Sequence, residues 1–265
     1  MKKIVLGLFI VLFSTGSAFS MDPLDFSDFD SIDQIESHFN DLNRSVYAGM
    51  NTLTWSSADA PSVFGFNVNV ITGFGSFDAN PEIGIDEKGI LPAFAAFQAG
   101  LGTAGFEAYA RVMPELELES DIKAQTLGFG LKYKLSDLLP IPGFPDVSVF
   151  GEYNTYGLKQ NRDIATEFGT IDSGIDLNFK STNFGVLIGK SFTVVDVYGK
   201  AGYQSGTTDM AWNQALEGGI TNRIEGDFSD SHFAYAVGLS VVGIKAEAGA
   251  RGDNFSFGLG WGIGF

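Results

Sequence analysis

The sequence predicts an all-β fold: an antiparallel transmembrane β-barrel of about ten strands (10–12), with an N-terminal amphipathic helix as a candidate plug for the lumen. Three observations lead there. The chain ends in an unbroken alternation, with Phe255, Phe257, Leu259, Trp261, Ile263 and Phe265 on one side and Ser256, Gly258, Gly260, Gly262 and Gly264 on the other. A period of two belongs to a strand. A large apolar face opposite a bare one suits lipid outside and a packed lumen inside. Next, past the N-terminus there is no run of the ~20 apolar residues that a membrane helix needs, so a spanning chain must close a sheet to satisfy its backbone. Finally, one stretch ahead of the alternating region changes its period to that of a helix.

Taken in order, Met1, Lys2 and Lys3 precede the apolar run 4–13 and the small residues Ser14 to Ala18, the pattern of a cleaved secretory signal over 1–20. Ten apolar residues are too few to span a bilayer as a helix. The chain has no cysteine, hence neither a disulfide nor a lipoprotein anchor. Without Lys2 and Lys3 it carries 14 basic and 32 acidic residues, a net charge of −18, which argues against nucleic acid as a partner.

Residues 21–60 form an acidic segment and a helix. Seven acids lie within 21–41, and Ile32, Ile35, Phe39, Leu42 and Val46 fall on one helical face. Ser31 with Gln34 makes a capping-box pattern, and Asp30 and Asp33 suit the positive helix start. A helix is expected over 31–47, about 25 Å long. Its apolar stripe needs a partner. The glycine face of the last strand offers one, because strands without side chains admit close backbone approach. The expected contacts are Gly65, Gly258, Gly260 and Gly262.

The barrel is expected over 61–265. Its first strand points Phe64, Phe66, Val68 and Val70 outward against Gly65, Asn67 and Asn69; the second, near 91–101, alternates poorly and contains Pro92. The third sets Phe106, Ala108, Ala110 and Val112 against Glu107, Tyr109 and Arg111, and the fourth sets Leu127, Phe129, Leu131 and Tyr133 against Gly128, Gly130 and Lys132. Val147, Val149 and Tyr153 oppose Ser148, Phe150 and Glu152 in the fifth, and Phe184, Val186 and Ile188 make the sixth. Val195, Val197, Ala201 and Tyr203 against Asp196, Tyr198, Lys200 and Gln204 make the seventh. Phe233 to Val241 is the eighth, Ile244 to Ala250 with Lys245, Glu247 and Arg251 inside is the ninth, and the terminal strand is the tenth. Tight connections near 103, 192–193 and 242–243 contrast with long polar ones at 78–89, 158–173 and 206–227, read as external loops. An even strand count puts both mature termini in the periplasm.

Several motifs are weighed and set aside. Gly100-Leu101-Gly102-Thr103-Ala104-Gly105 fits the dinucleotide-binding glycine pattern, but an alternating run follows it instead of a helix, so it reads as a hairpin. Arg251-Gly252-Asp253 reads as turn chemistry. The acidic groups Asp78, Glu82, Asp86, Glu87 and Glu225, Asp227, Asp230 lack the ligand spacing of a calcium loop. His232, near those last acids, has no recognisable nucleophile motif and reads as a polar rim residue. No catalytic residue, metal or cofactor is expected.

The last strand with its terminal Phe265 resembles the C-terminal assembly signal of bacterial outer-membrane barrels, carried by Phe255, Phe257, Leu259, Trp261, Ile263 and Phe265. That resemblance implies export to the cell outer membrane, a shell of outer-membrane lipid and the barrel-assembly machinery as partner. The stretches 127–133 (LGFGLKY), 144–153 (FPDVSVFGEY) and 197–203 (VYGKAGY), with a helix before Phe64-Gly65-Phe66, look like a family of uncharacterised bacterial outer-membrane barrels. The order of helix before barrel is similar to that of outer-membrane fatty-acid transporters. The resulting expectation is a barrel that passes or binds a small apolar molecule, gated by the helix. Tyr109, Arg111, Phe150, Glu152, Tyr198 and Lys200 face the lumen, and the three aromatics among them suggest the ligand class. The competing expectations are a structural or surface-exposed barrel without cargo and an outer-membrane hydrolase using His232.

Overall fold

The computed structural model describes residues 32–79, 88–119, 122–138, 143–166, 169–216 and 220–264. The expected signal peptide, the acidic stretch before Ile32 and Phe265 lie outside the described residues. One helix, α1 (Ile32–Met50), precedes ten strands: β1 (Gly65–Phe77), β2 (Gly89–Thr103), β3 (Phe106–Glu119), β4 (Ile122–Lys134), β5 (Asp146–Thr166), β6 (Gly169–Ser191), β7 (Val195–Leu216), β8 (Ile220–Val241), β9 (Ile244–Arg251) and β10 (Asn254–Gly264). Each strand pairs antiparallel with its sequence neighbours, and β1 pairs with β10, so the sheet is a closed barrel. Closure leaves no free edge.

The alternation sets the faces. Phe129, Leu131, Phe184, Ile188, Phe233, Val237 and Phe255 stand exposed on the outer surface. Arg111, Lys132, Glu152, Asn154, Lys200 and Glu247 are buried within. A belt of exposed apolar side chains around a polar interior is the arrangement of a transmembrane barrel. Cross-strand aromatic pairs such as Phe106 with Tyr133 and Phe129 with Tyr153 lie on the outer surface. The poorly alternating second strand forms despite Pro92, which sits beside a register shift in its pairing with β1 between Gly73 and Phe74.

At one end three of the four strand connections are tight, and the fourth, between β4 and β5, is longer. Ala104-Gly105 and Val242-Gly243 both have positive φ at their two central residues, the geometry that suits the twist of a two-residue hairpin. The glycine-rich run 100–105 is therefore the β2–β3 hairpin. Towards the other end the barrel is uneven. β5 to β8 run 21 to 23 residues each, whereas β9 has 8 and turns back at Gly252-Asp253.

This corrects one expectation. The described parts of the stretches 158–173 and 206–227 are upward continuations of β5 to β8 and not loops, residues 167–168 and 217–219 lying outside the described residues. Their period of two persists while its sense inverts. On β6, Asp176, Asn178, Lys180 and Thr182 continue the outward row of Phe184, and Ile175, Leu177 and Phe179 continue the buried row. The walls outlast the apolar belt, and above it the polar side chains turn outward and the apolar ones inward. Glu225 and Asp227 likewise sit on the exposed face of β8.

Candidate functional site

The helix and the chain that follows it occupy the lumen. α1 runs to Met50, three residues past the expected end, and closes with Thr52 donating through both its amide and its hydroxyl to the Gly49 carbonyl. A helix C-terminus leaves carbonyls without partners and carries partial negative charge. No basic residue lies in the last turn of α1 itself. The barrel wall supplies the donors instead. Gln204 donates to the Tyr47 carbonyl at 2.8 Å, Arg111 to that of Met50 at 2.8 Å, and Lys200 to that of Asn51 at 2.6 Å.

From there an irregular segment, 51–61, descends to the tight-turn end. Lys132 donates to the carbonyls of Ser57 and Asp59, Ser148 to that of Ala58, and Gln98 to that of Thr54. Lys245 reaches Ser56 Oγ, and Lys134 pairs with Asp59. At the bottom the Pro61 carbonyl accepts from the Gly105 amide. Irregular backbone at membrane depth is tolerable only where it is enclosed and bonded in this way.

The six expected lumen residues are all engaged by this segment or by one another. The indole of Trp55 packs edge-on to Tyr109 with centroids 4.9 Å apart, 6.5 Å from Phe150, and shares a buried cluster with Tyr198. The Arg111 guanidinium lies 4.5 Å over the Phe94 ring. Glu152 accepts from Asn183 and Tyr109, and Lys200 pairs with Glu247, which also accepts from Tyr198. Beside α1 the wall leaves a cavity of about 20 Å³, lined by Ala48, Lys200, Arg251 and Ser256 among others, which is room for roughly one water.

The glycines divide. At Gly258 a Cβ would meet Thr52 and Leu53, and at Gly260 it would meet Ile71 and Leu53, so these two face the segment after the helix. Gly262 faces Asn69 of the neighbouring strand, and Gly65 opens β1 opposite Gly102. The helix itself is received elsewhere. Gly75 lies against the Ser45 carbonyl, Gly73 against Gly49 and Thr52, and Gly206 beneath the ring of Tyr47. Gly73 and Gly75 share the parity of Gly65 along β1, and that was the available signal.

Higher up, the interior turns apolar. Phe39, Leu42 and Val46 of α1 are buried in a cup that includes Leu177, Phe179, Met210, Trp212 and Phe228. Phe39 sits 5.5 Å from Phe228 and 6.4 Å from Phe179, centroid to centroid. The side chains of Ile32 and Ile35 lie outside the described residues. On the lower wall beside this cup, Asp230 receives Arg251 at 2.6 Å and lies 3.6 Å from Arg44 of α1 and 2.9 Å from His232. Burial alone would raise the Asp230 carboxyl, but the hydrogen bond and charge of Arg251, aided by His232 and Arg44, hold it below its usual value. The hydroxyl of Ser231 points to the outer face and bonds Ser205, away from His232. Arg251 is 1% exposed, so of the Arg-Gly-Asp tripeptide only Gly252 and Asp253 reach the surface.

Three solved structures align with the chain at low similarity. The outer membrane protease OmpT from Escherichia coli aligns at 10% identity over 81% of this chain and 99% of its own, with a TM-score of 0.44. The translocator domain of the autotransporter NalP from Neisseria meningitidis aligns at 13% over 88% and 97%, with a TM-score of 0.38. Ail, the attachment invasion locus protein of Yersinia pestis, in complex with the heparin analogue sucrose octasulfate, aligns at 13% over 77% and 99%, with a TM-score of 0.34. No curated protein matches the sequence. The chain belongs to a family of unknown function (DUF6588), whose pattern it matches over residues 40–260, from within the plug helix to the last strand.

Proposed function

We propose that the protein resides in the outer membrane as a barrel closed at rest by its own N-terminal segment, and that it receives a small apolar molecule in the upper cup. One observation carries this reading: the apolar stripe of α1 is seated in an apolar cup above the belt of exposed apolar side chains. A molecule of similar character competes there for the surface that Phe39, Leu42 and Val46 cover. The lumen below is closed, so passage requires the plug to shift. In this reading the ligand surface is the cup, the six lower lumen residues hold the plug, and His232 is a rim residue.

A disulfide tests the gate, because the chain has no cysteine of its own. A Cβ on Gly258 would stand 3.0 Å from Thr52 Cβ, close to the ~3.5–4.5 Å of a disulfide. The Thr52→Cys/Gly258→Cys variant, refolded into liposomes with a fluorescent fatty acid outside, is expected to admit the probe only when reduced. Equal uptake in both redox states, or none in either, removes the gate and leaves a structural barrel without cargo.

A further inference from the structure

The described chain threads the barrel in one direction. At the upper end Phe39 packs between Phe179 and Phe228, and Asp41 accepts from the Asp78 amide and from Asn254. One step down, the Tyr47 hydroxyl meets Thr208 at 2.5 Å. Asn51 then bonds Asn154 and Ser181, and Trp55 reaches Tyr109. Asp59 pairs with Lys134 at the foot of β4, and the Pro61 carbonyl meets the β2–β3 turn. β1 then starts upward from that same end, where Gly264 also lies, paired with Asn67.

The start of α1 and the end of β10 are therefore at opposite mouths of the barrel. Between those mouths the helix and residues 51–61 occupy the lumen, bonded to the wall through Gln204, Arg111, Lys200 and Lys132. The sheet around them is hydrogen-bonded all round. Outer-membrane barrels emerge little on the periplasmic side and extend further on the extracellular side. The upper mouth carries the long strands whose outer faces, with Asp176, Asn178, Asp209 and Asp227, are built for water.

We propose that the plug crosses the outer membrane from outside inward, so that the chain preceding Ile32 is displayed at the cell exterior while the end of β10 faces the periplasm. This rests on the outer-membrane residence proposed above and not on the passage of cargo. The expectation that both mature termini are periplasmic gives way, in this proposal, to termini on opposite sides. The displayed stretch carries Asp22, Asp25, Asp28 and Asp30 and no basic residue between 21 and 31.

Single cysteines in the full, otherwise cysteine-free chain test the threading with a membrane-impermeant maleimide on intact Gram-negative cells. Asp253→Cys, in the exposed turn between β9 and β10, reports the upper mouth, and Val242→Cys, 77% exposed in the β8–β9 turn, reports the lower. Asp30→Cys is expected to label in intact cells together with Asp253→Cys, while Val242→Cys labels only after the outer membrane is permeabilised. Labelling of Asp30→Cys only alongside Val242→Cys overturns the threading. If Asp253→Cys and Val242→Cys both need permeabilisation, residence or sidedness has failed instead, and the proposed display fails with it. An epitope inserted between residues 30 and 31, detected by antibody on intact cells, gives a second measurement; binding only after permeabilisation overturns the proposal equally.

Discussion

The lower and upper halves of this barrel are built from the same strands with opposite chemistry. Below, Phe184, Val186 and Ile188 of β6 face outward and Asn183 and Leu187 face a lumen rich in cations, amides and carboxylates. Above, on the same strand, Asp176, Asn178 and Lys180 face outward and Ile175, Leu177 and Phe179 face in. Nothing in the backbone changes between them. What changes is which side chains face out: apolar ones around the belt, polar ones beyond it. The contents follow suit, with an irregular segment held through its carbonyls below and an apolar helical stripe above. The difference teaches that the plug is two objects, one held by directed hydrogen bonds and one by hydrophobic burial.

The largest effect expected from this comparison lies in the upper core. Phe179 is fully buried and its ring meets Phe39, Tyr47 and Tyr156, so Phe179→Ala is expected to cost about 3–5 kcal/mol. Urea unfolding of protein refolded in liposomes measures it. A loss below about 1 kcal/mol would mean that the upper barrel has no core of the water-soluble type.

The outer face gives a sharper contrast. Val237, 68% exposed on the belt, should lose about 2–4 kcal/mol on replacement by Arg, whereas Asn178→Arg on the upper wall should stay within about 0.5 kcal/mol. Equal costs at the two positions, in the same unfolding assay, would erase the boundary between belt and upper wall.

The smallest effect concerns pH. The Asp230 carboxyl is depressed in the folded protein, against an unfolded value of about 3.9, so its contribution is complete above that value and is lost as pH falls through the folded one. Stability measured downward from pH 5 should fall in that acid range, and Asp230→Asn should flatten this part of the profile. An unchanged slope in the variant would show that the Arg44–Asp230–Arg251 contact does not tie helix to wall.

Much of the barrel was legible in the sequence because period two is a local property. The outward rows of Phe129, Val186 and Val237, the tight hairpins at 104–105 and 242–243, and a helix over most of 32–50 all came from neighbours in the chain. The tops of β5 to β8 were misread because their alternation carries charged residues on the outward row, which resembles loop composition unless the phase is followed through Phe184 into Thr182. The segment 51–61 was passed over for a different reason. It has no period at all, and only its burial among Lys132, Arg111 and Lys200 reveals what it does.

From the sequence alone came the closed sheet, the lipid-facing rows and the existence of an amphipathic helix, since each depends on side-chain order within a few residues. The tertiary structure decided the rest: that the helix sits inside, that it descends from the upper mouth, and that lumen cations bond backbone carbonyls. Those contacts join residues such as Asn51 and Lys200, 149 positions apart. Ring closure alone brings them together, and no local pattern records which residues will face each other across the lumen.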